Sequence, residues 1–257
     1  MASWGDMDDD MDVNDEGKGV PRGSLKPVQP GTLTPQAPLV ISDTDVDVQL
    51  DSKMDYIFAD IVPHIRKRLQ VDDVALYSVT PAWMSIKINS VLRNIIPKGA
   101  IITDATACVG GDTMRFCKWF RFVNAVEVNS ERARMLLHNV TTMGLSKMVN
   151  VVNQNYANCY NTFEQDVVYV DAPWGGPEYK HRHSINLFLN DIPLAKVCLL
   201  VWPRTTVIAL KVPTNFNVSG LENDVLSGIE PHTCTFSVHT LHASALLLVF
   251  RRQVVFD

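Results

Sequence analysis

The chain has 257 residues, 46% of them hydrophobic and 20% charged, and a formal net charge of −5. This composition predicts a globular protein with room for one large or two small domains. No segment approaches the ~20 consecutive apolar residues needed to span a membrane, and the acidic N-terminus does not predict a signal peptide. The five cysteines form no Cys-x-x-Cys pair or Cys/His cluster, which favours a reducing compartment and argues against a disulfide framework or a structural zinc.

Residues 1–50 are predicted to be a disordered tail that precedes the folded domain. They contain five of the 14 prolines, and residues 1–52 hold eleven acidic but only three basic side chains. A segment of this composition buries too little apolar surface to offset the entropy lost on folding. A solvated linker is the simplest interpretation, and an autoinhibitory or partner-binding segment is the alternative. The rest of the chain has a net charge of +3, which is compatible with a polyanionic partner.

Residues 51–257 are predicted to form one domain that begins with a helical extension over about 51–97. Apolar residues at four-residue spacing predict a helix over 53–70, and Thr80 followed by Pro81 predicts a capped helix that ends near residue 94. Strands are then predicted at 100–104, 123–128, 149–153, 166–171 and 206–212, with helices at 111–120, 130–143 and 193–201.

The last two predicted strands, 233–241 and 243–251, are too close in sequence for a crossover and are expected to form an antiparallel hairpin. The alternation before them predicts an α/β fold with a mostly parallel sheet covered by helices on both faces. Such sheets bind ligands beyond the carboxyl ends of their strands, near the point where the strand order reverses. The candidate site residues are therefore those that directly follow each predicted strand.

The segment after the first predicted strand has the features of a ligand-binding loop. Residues 104–113 read Asp-Ala-Thr-Ala-Cys-Val-Gly-Gly-Asp-Thr, and small residues with a glycine pair let backbone approach a ligand. The loop matches neither Gly-x-Gly-x-x-Gly nor a P-loop, and packing in a tight turn is the alternative. Glu127 and Asn155 follow the next two strands, where they could bind ribose hydroxyls and an adenine amine. An acid placed at a helix N-terminus is the alternative for Glu127, yet the three features together favour an adenosyl ligand.

The fourth strand leads into the most informative segment, Asp-Ala-Pro-Trp-Gly-Gly-Pro-Glu-Tyr over residues 171–179. Asp171 and nearby backbone carbonyls can accept hydrogen bonds from an exocyclic amine, Pro173 fixes the backbone, and Trp174 offers a face for stacking a base. Acceptors that hold such an amine pyramidal lower the barrier to its methylation. The segment therefore predicts an amino-methyltransferase site, with a Pro-Gly turn around a buried tryptophan as the alternative.

Residues 53–257 resemble the trimethylguanosine synthase family, the RNA cap guanine-N2 methyltransferases. The family's Ser-Pro-Pro-Trp-Gly-Gly-Pro-Asp-Tyr is matched by residues 171–179, and its Asp-Ala-Phe-Cys-Gly-Val-Gly-Gly-Asn-Thr by residues 104–113. Its Phe-Ser-Val-Thr-Pro is matched by Tyr-Ser-Val-Thr-Pro at residues 77–81. The resemblance implies a class I, Rossmann-like, S-adenosylmethionine-dependent methyltransferase. The implied acceptor is a 7-methylguanosine cap of RNA.

The resemblance also implies roles for individual residues. The expected catalytic residues are Asp171, Pro173 and Trp174. The expected cofactor-binding residues are Asp104, Ala105, Thr106, Val109, Gly110, Gly111, Thr113, Glu127, Asn155 and Asp171. The expected substrate-binding residues are Lys53, Ser78, Thr80, Trp174 and Asn215. Capped RNA is the expected partner of a monomer that needs no metal and no membrane, in the nucleus or nucleolus, with the cytoplasm as the alternative.

Several positions depart from the family pattern. Cys108 replaces the first glycine of the cofactor loop, and Asp171 and Ala172 replace Ser and the first Pro. The arginine of the family's Leu-Pro-Arg-Asn is replaced by Thr214, for which Lys211 or Arg204 could compensate. An aromatic residue expected near position 62 to cover the cofactor is also absent.

Other interpretations stay open at this point. The site chemistry also fits an amino-methyltransferase acting on adenine N6 or on guanine N2 in other nucleic acids. The substitutions at positions 108 and 172 are compatible with a non-catalytic cap-binding relative. Residues 180–183, Lys-His-Arg-His, are a candidate RNA-backbone contact or a solvated loop. Trp83 is expected to lie in the core, with a second stacking surface as the alternative.

Overall fold

A seven-stranded sheet organises the part of the chain that the structure, a computed structural model, describes: residues 52–253, apart from the side chain of Pro177. The strands of the protein are β1 (Ile101–Asp104), β2 (Phe122–Val126), β3 (Val149–Val152), β4 (Val167–Val170), β5 (Phe188–Leu189), β6 (Ile192–Pro193), β7 (Val207–Pro213), β8 (Cys234–His242) and β9 (Ala245–Arg252). The large sheet has the order β3-β2-β1-β4-β7-β9-β8, and β5 with β6 forms a separate two-stranded ribbon. The predicted tail, residues 1–50, lies outside the described residues.

Five adjacent strands of the sheet, β3, β2, β1, β4 and β7, run parallel. The last two, β9 and β8, are paired antiparallel. This arrangement confirms the predicted mostly parallel sheet with a C-terminal hairpin. Every residue of β1, β4 and β7 is buried, as expected for central strands that have helices on both faces. The strand order reverses between β1 and β4, which places the expected ligand crevice at their carboxyl ends.

Two groups of helices cover the sheet. The helical segments are α1 (52–57), α2 (Pro63–Arg66), α3 (Ala75–Ser78), α4 (Ala82–Arg93), α5 (Gly111–Phe116), α6 (Ser130–Thr142), α7 (Tyr156–Cys159), α8 (Leu194–Val201) and α9 (Val218–Ser227). Residues of α4, α5 and α6 share one hydrophobic cluster, and residues of α8 and α9 share another. No helix of residues 52–253 is long and apolar enough to cross a lipid bilayer.

The predicted continuous helix over 53–70 is wrong. The chain is helical over 52–57, turns, and becomes helical again only at Pro63, which stands at the first position of α2. Proline has no backbone N–H and disfavours a helical conformation in the residue before it, so it begins a helix better than it continues one. The apolar positions are nevertheless correctly identified, because Ile57, Ile61 and Leu69 are all buried in a third cluster.

Buried polar side chains attach this N-terminal extension to the rest of the domain. Arg115, 3% exposed, donates to the carbonyls of Ile57 and Gly111, both at 2.8 Å, and forms an ion pair with Asp60, also at 2.8 Å. Asn139 donates to the carbonyls of Gln70, at 2.8 Å, and Val109, at 2.9 Å. The extension is therefore held directly against the loop that follows β1.

Candidate active site

A pocket lies at the carboxyl ends of β1 and β4, where the strand order predicts it. Its walls come from residues 78–80, from the loop after β1 and from Asp171. The structure thus brings together Ser78, Thr80, Asp104 and Asp171, which the sequence placed in one site. Within residues 52–253, no three His, Cys, Asp or Glu side chains are grouped in a way that could hold a metal ion.

The loop after β1 contains two residues in left-handed backbone conformations, Cys108 and Gly110. Cys108 adopts φ 50°, so a cysteine occupies the left-handed conformation that glycine usually provides. Gly110 has φ 98°, and a Cβ there would lie 2.7 Å from Leu136 Cδ1. A Cβ on Gly111 would lie 2.5 Å from Val79 Cγ1. Close packing against α6 and residue 79 therefore explains the glycine pair.

Glu127 fixes the end of β2 to this loop. Its Oε2 accepts the backbone N–H of Cys108 at 2.9 Å, and its Oε1 accepts that of Asn129 at 2.8 Å. Each carboxylate oxygen has a second lone pair, so the side chain can still accept two further donors. Asn155, at the end of β3, uses its Oδ1 to accept the N–H of Ala157 at 3.0 Å and caps α7.

The remaining predicted cofactor residues have structural partners. Thr113 donates its hydroxyl to Asp104 Oδ2 at 2.7 Å, and Thr106 accepts the backbone N–H of Asp171 at 2.8 Å. The side chains of Ala105 and Val109 belong to hydrophobic clusters. Ala105 and Val109 therefore anchor the loop by packing into the core.

Three carboxyl groups line the pocket. Burial raises the pKa of Asp104 to about 8, and the charge of Asp112 adds to that effect. Asp112 Oδ2 accepts hydrogen bonds from Thr80, at 2.7 Å, and from the Tyr169 hydroxyl, at 3.2 Å. Its other oxygen, Oδ1, is buried and has no hydrogen-bond donor among the described residues. The Thr80 hydroxyl therefore donates to Asp112 and not to the backbone of α4. The predicted role of Thr80 as a helix cap is wrong, since no side chain caps α4.

Lys211 supplies a buried cation to this acidic site. Only 6% exposed, it donates to Asp171 Oδ2 at 2.6 Å and to Thr80 Oγ1 at 3.0 Å. Burial raises the pKa of Asp171, whose side chain is 16% exposed, and the ammonium of Lys211 counteracts this rise. The result is a hydrogen-bonded chain that runs from Asp171 through Lys211 and Thr80 to Asp112.

Sequence reasoning considered Lys211 only as a substitute for a phosphate-binding arginine, and did not single out Asp112. The available signal for Lys211 is a lysine within an otherwise apolar strand, because a buried lysine requires a partner. Arg204 lies before β7, at the opposite edge of the sheet, and donates to the carbonyl of Asn161. It therefore cannot compensate for Thr214 beyond the carboxyl end of β7.

Trp174, in the segment that follows β4, contacts an aromatic ring and a buried cation. Its ring packs edge-to-face on Tyr179, with 5.1 Å between centroids, and Lys211 Nζ lies 5.3 Å from its ring centroid. Asn215 donates to the carbonyls of Tyr179 and Arg182, both at 2.8 Å, and so holds the turn that follows Trp174. These contacts give Asn215 a positioning role for that turn.

The substrate residues predicted upstream lie at the outer edge of the site. Lys53 Nζ lies 3.1 Å from the ring centroid of Tyr77, whose side chain is exposed. Ser78 is exposed and reaches the wall of the pocket. The segment 77–81 therefore connects the N-terminal extension with the acidic pocket.

Sequence comparison identifies a family over most of the domain. Residues 99–248 match the profile of the family described as RNA cap guanine-N2 methyltransferase. Trimethylguanosine synthase of Schizosaccharomyces pombe is 27% identical over 161 residues, which are 59% of this chain and 65% of that protein. Trimethylguanosine synthase of Saccharomyces cerevisiae is 25% identical over 172 residues, 61% of this chain and 55% of that protein.

An uncharacterized protein of Acanthamoeba polyphaga mimivirus is 34% identical over 125 residues, 47% of this chain and 48% of that protein. The chain thus spans about half to two thirds of the length of the curated relatives it matches.

Solved structures share the fold. A protein of Porphyromonas gingivalis described as a methyltransferase has a TM-score of 0.56 at 16% identity, over 81% of this chain and 49% of that one. Precorrin-6y C5,15-methyltransferase of Geobacter metallireducens has a TM-score of 0.52 at 14% identity, over 72% of this chain and 95% of that one. The matched family profile covers more than half of the chain and includes Asp104, Glu127, Asp171 and Trp174. The chain belongs to the RNA cap guanine-N2 methyltransferase family.

Proposed function

We propose that this protein transfers a methyl group from S-adenosyl-L-methionine to the exocyclic N2 amine of a 7-methylguanosine RNA cap. The product is a di- or trimethylguanosine cap. One observation carries the proposal: Asp171, which lines an acidic pocket, is ion-paired with Lys211, whose Nζ lies 5.3 Å from the centroid of the Trp174 ring. Capped RNA is the proposed partner of a monomeric enzyme in the nucleus, with the cytoplasm as the alternative location.

The residues of the pocket fit S-adenosylmethionine. Asp104, Asp112 and Asp171 line the pocket, and of these three only Asp171 has an ion-pair partner among the described residues, Lys211; the unpaired Oδ1 of Asp112 requires a donor. A cationic ligand with N–H groups satisfies both conditions. Glu127 keeps two lone pairs for ribose hydroxyls. When bound, the cofactor supplies an electrophilic methyl group, so the protein needs no metal and no covalent intermediate.

On the acceptor side, the chain binds and orients the base. Trp174 offers a stacking surface, and 7-methylguanine carries a positive charge that adds a cation–π attraction. Asp171 Oδ2 accepts a hydrogen bond from Lys211, and because each carboxylate oxygen has two lone pairs the group can accept a further one from the N2 amine. A carboxylate in that position favours the charge that develops on the amine during methyl transfer.

Donor binding is expected to release a proton near neutral pH. Asp104, with a pKa of about 8, is mostly protonated at pH 7, and a cationic ligand favours its ionised form. Donor affinity should therefore increase with pH between about pH 6 and pH 8. Isothermal titration calorimetry in two buffers of different ionisation enthalpy measures the released proton. The Asp104→Asn variant is the matched control and should release none, whereas equal release by both proteins would contradict the role of Asp104.

The proposed acceptor is tested by the ratio of kcat/KM for 7-methylguanosine and guanosine caps. The kcat/KM for the methylated cap is expected to be at least about a hundredfold higher. Its positively charged base is attracted both to the Trp174 ring and to the Asp171 carboxylate. Labelled donor, two dinucleotide caps and chromatography of the products give both constants.

A ratio near one would favour the alternative amino-methyltransferase that modifies guanine in ordinary RNA. If the protein binds the donor and the caps but transfers no methyl group, the non-catalytic cap-binding alternative holds. Both outcomes are read from the same reactions together with calorimetry of donor and cap binding.

A further inference from the structure

Three exposed aromatic rings form a continuous surface beside the active site, called here the ring stripe: Tyr56, Trp83 and His242. The indole N–H of Trp83 donates to the Tyr56 hydroxyl at 3.1 Å. On its other side, the Trp83 ring meets His242 edge-on, with 5.4 Å between centroids and an interplanar angle of 63°. Trp83 is 40% exposed, so the expectation that it lies in the core is wrong.

The ring stripe lies at the same end of the sheet as the pocket. Trp83 follows Thr80 by three residues, and Thr80 lines the pocket wall. His242 ends β8, and the adjoining β9 residue, Ala245, pairs with Pro213 at the carboxyl end of β7. Both the indole and the imidazole therefore stand at the same sheet edge as Asp171. A polymer leaving the acceptor site along this edge crosses the ring stripe.

Cationic side chains flank the rings. Lys53 precedes Tyr56 by one helical turn of α1, and Lys87 follows Trp83 by one turn of α4. Lys87 is exposed and donates to the carbonyl of Leu241, next to His242. The nearest acid on α1, Asp55, is paired with Arg66. The charge of the surface therefore complements a phosphate backbone.

We propose that the ring stripe binds the nucleotides that follow the cap in the substrate RNA. This inference rests on the proposed function and identifies the part of the substrate that lies outside the pocket. Aromatic rings with cations between them are the arrangement that binds single-stranded nucleic acid, since every base offers a face for stacking and every linkage a charge. The surface carries no feature that reads a sequence, so any capped RNA with an unpaired 5′ end is a suitable ligand.

The test compares a substrate that reaches the ring stripe with one that does not. The substrates are 7-methylguanosine triphosphate and a capped, unstructured RNA of about ten nucleotides. In the Trp83→Ala variant, KM for the capped RNA is expected to rise about tenfold or more, while kinetic constants for the free cap nucleotide stay within about twofold. Trp83→Phe keeps a ring and should restore most of the RNA affinity. Leu137→Ala, on α6 and 54% exposed in the parent chain, is the control for loss of an exposed apolar side chain.

Equilibrium binding of the same RNA, followed by fluorescence anisotropy, separates this inference from the proposed function. If the unmodified protein methylates neither substrate, the proposed function fails, and the loss of RNA affinity in Trp83→Ala still decides on the ring stripe. Unchanged RNA binding and KM in Trp83→Ala would overturn the inference. An equal loss for the RNA and the free cap nucleotide would also overturn it, because the side chain would then act on the pocket.

Discussion

Alanine in place of Trp174 is expected to reduce kcat/KM for 7-methylguanosine caps by at least about a hundredfold. A base loses about 1–3 kcal/mol when its stacking partner is removed, and a cationic base in a desolvated site loses about 2 kcal/mol more. Donor binding should change little, because Trp174 packs on Tyr179 and Lys211 outside the segments that line the pocket. Steady-state kinetics with calorimetry of donor binding measures both quantities.

The matched control for Trp174 is Tyr179→Phe. It keeps the edge-to-face contact of the two rings and removes only a hydroxyl group. That variant should retain most of the activity, whereas Trp174→Phe should lie between the alanine variant and the unmodified protein. Retention by Trp174→Ala of more than about a tenth of the unmodified kcat/KM, a loss under ~1.4 kcal/mol, would show that the ring does not hold the base.

Replacing Lys211 with methionine is expected to lower kcat at pH 7 by about tenfold or more and to shift the pH profile to higher pH. Methionine keeps most of the volume but leaves Asp171 buried without its cation. Burial already raises the pKa of Asp171, and the charge of Asp112 acts in the same direction. Without Lys211 the pKa rises further, so the variant regains activity only as the pH increases through the new pKa.

The stability of Lys211→Met should change with pH in the opposite direction to its activity. The unfolded chain ionises Asp171 near its ordinary pKa of about 4, while the folded variant holds the proton to higher pH. The folded state therefore binds more protons, and the free energy of unfolding falls as the pH rises from about 4 towards the new pKa. Thermal unfolding monitored across this range, beside the pH profile of kcat, distinguishes a positioning residue from one that only packs.

A double variant provides the control for Lys211. Asp171→Ser combined with Lys211→Met removes both members of the ion pair, so neither is left buried without the other. It should be more stable than Lys211→Met, and its pH profile should lose the inflection caused by Asp171. If Lys211→Met alone had the stability and the pH profile of the unmodified protein, coupling between Lys211 and Asp171 would be excluded.

Much of the sheet could be predicted from the sequence because its central strands are short apolar runs separated by helices of regular period. The interrupted helix was misjudged for a local reason, since the apolar spacing continues across Pro63 although the backbone does not. Helix α9 was not predicted, because it contains Gly220 and buries only Leu221 and Val225. Such a weak period gives little signal in a single sequence.

The location of a site residue could be predicted where that residue directly follows a strand. Contacts between side chains from different strands and helices could not be predicted. Asp104 and Asp171 could be expected to share one pocket because parallel strands end at one edge of the sheet, and the structure places both there. The pairing of Lys211 with Asp171 joins β7 to the end of β4, and no spacing rule connects them. The exposure of Trp83 likewise depends on how α4 packs, which places one side of the helix towards solvent.

The position of Arg115 has a consequence for where the folding unit begins. The match to the family profile starts at residue 99, yet the guanidinium of Arg115 forms hydrogen bonds with the carbonyl of Ile57 and with Asp60, both upstream of it. A chain that began at residue 99 would keep every strand of the sheet, but Arg115 would lose Asp60 and the carbonyls of Ile57 and Thr80, and the apolar side chains of Val109 and Met114 would lose the cluster that covers them. The segment that matches the family profile and the segment that we expect to fold as a unit therefore begin at different residues.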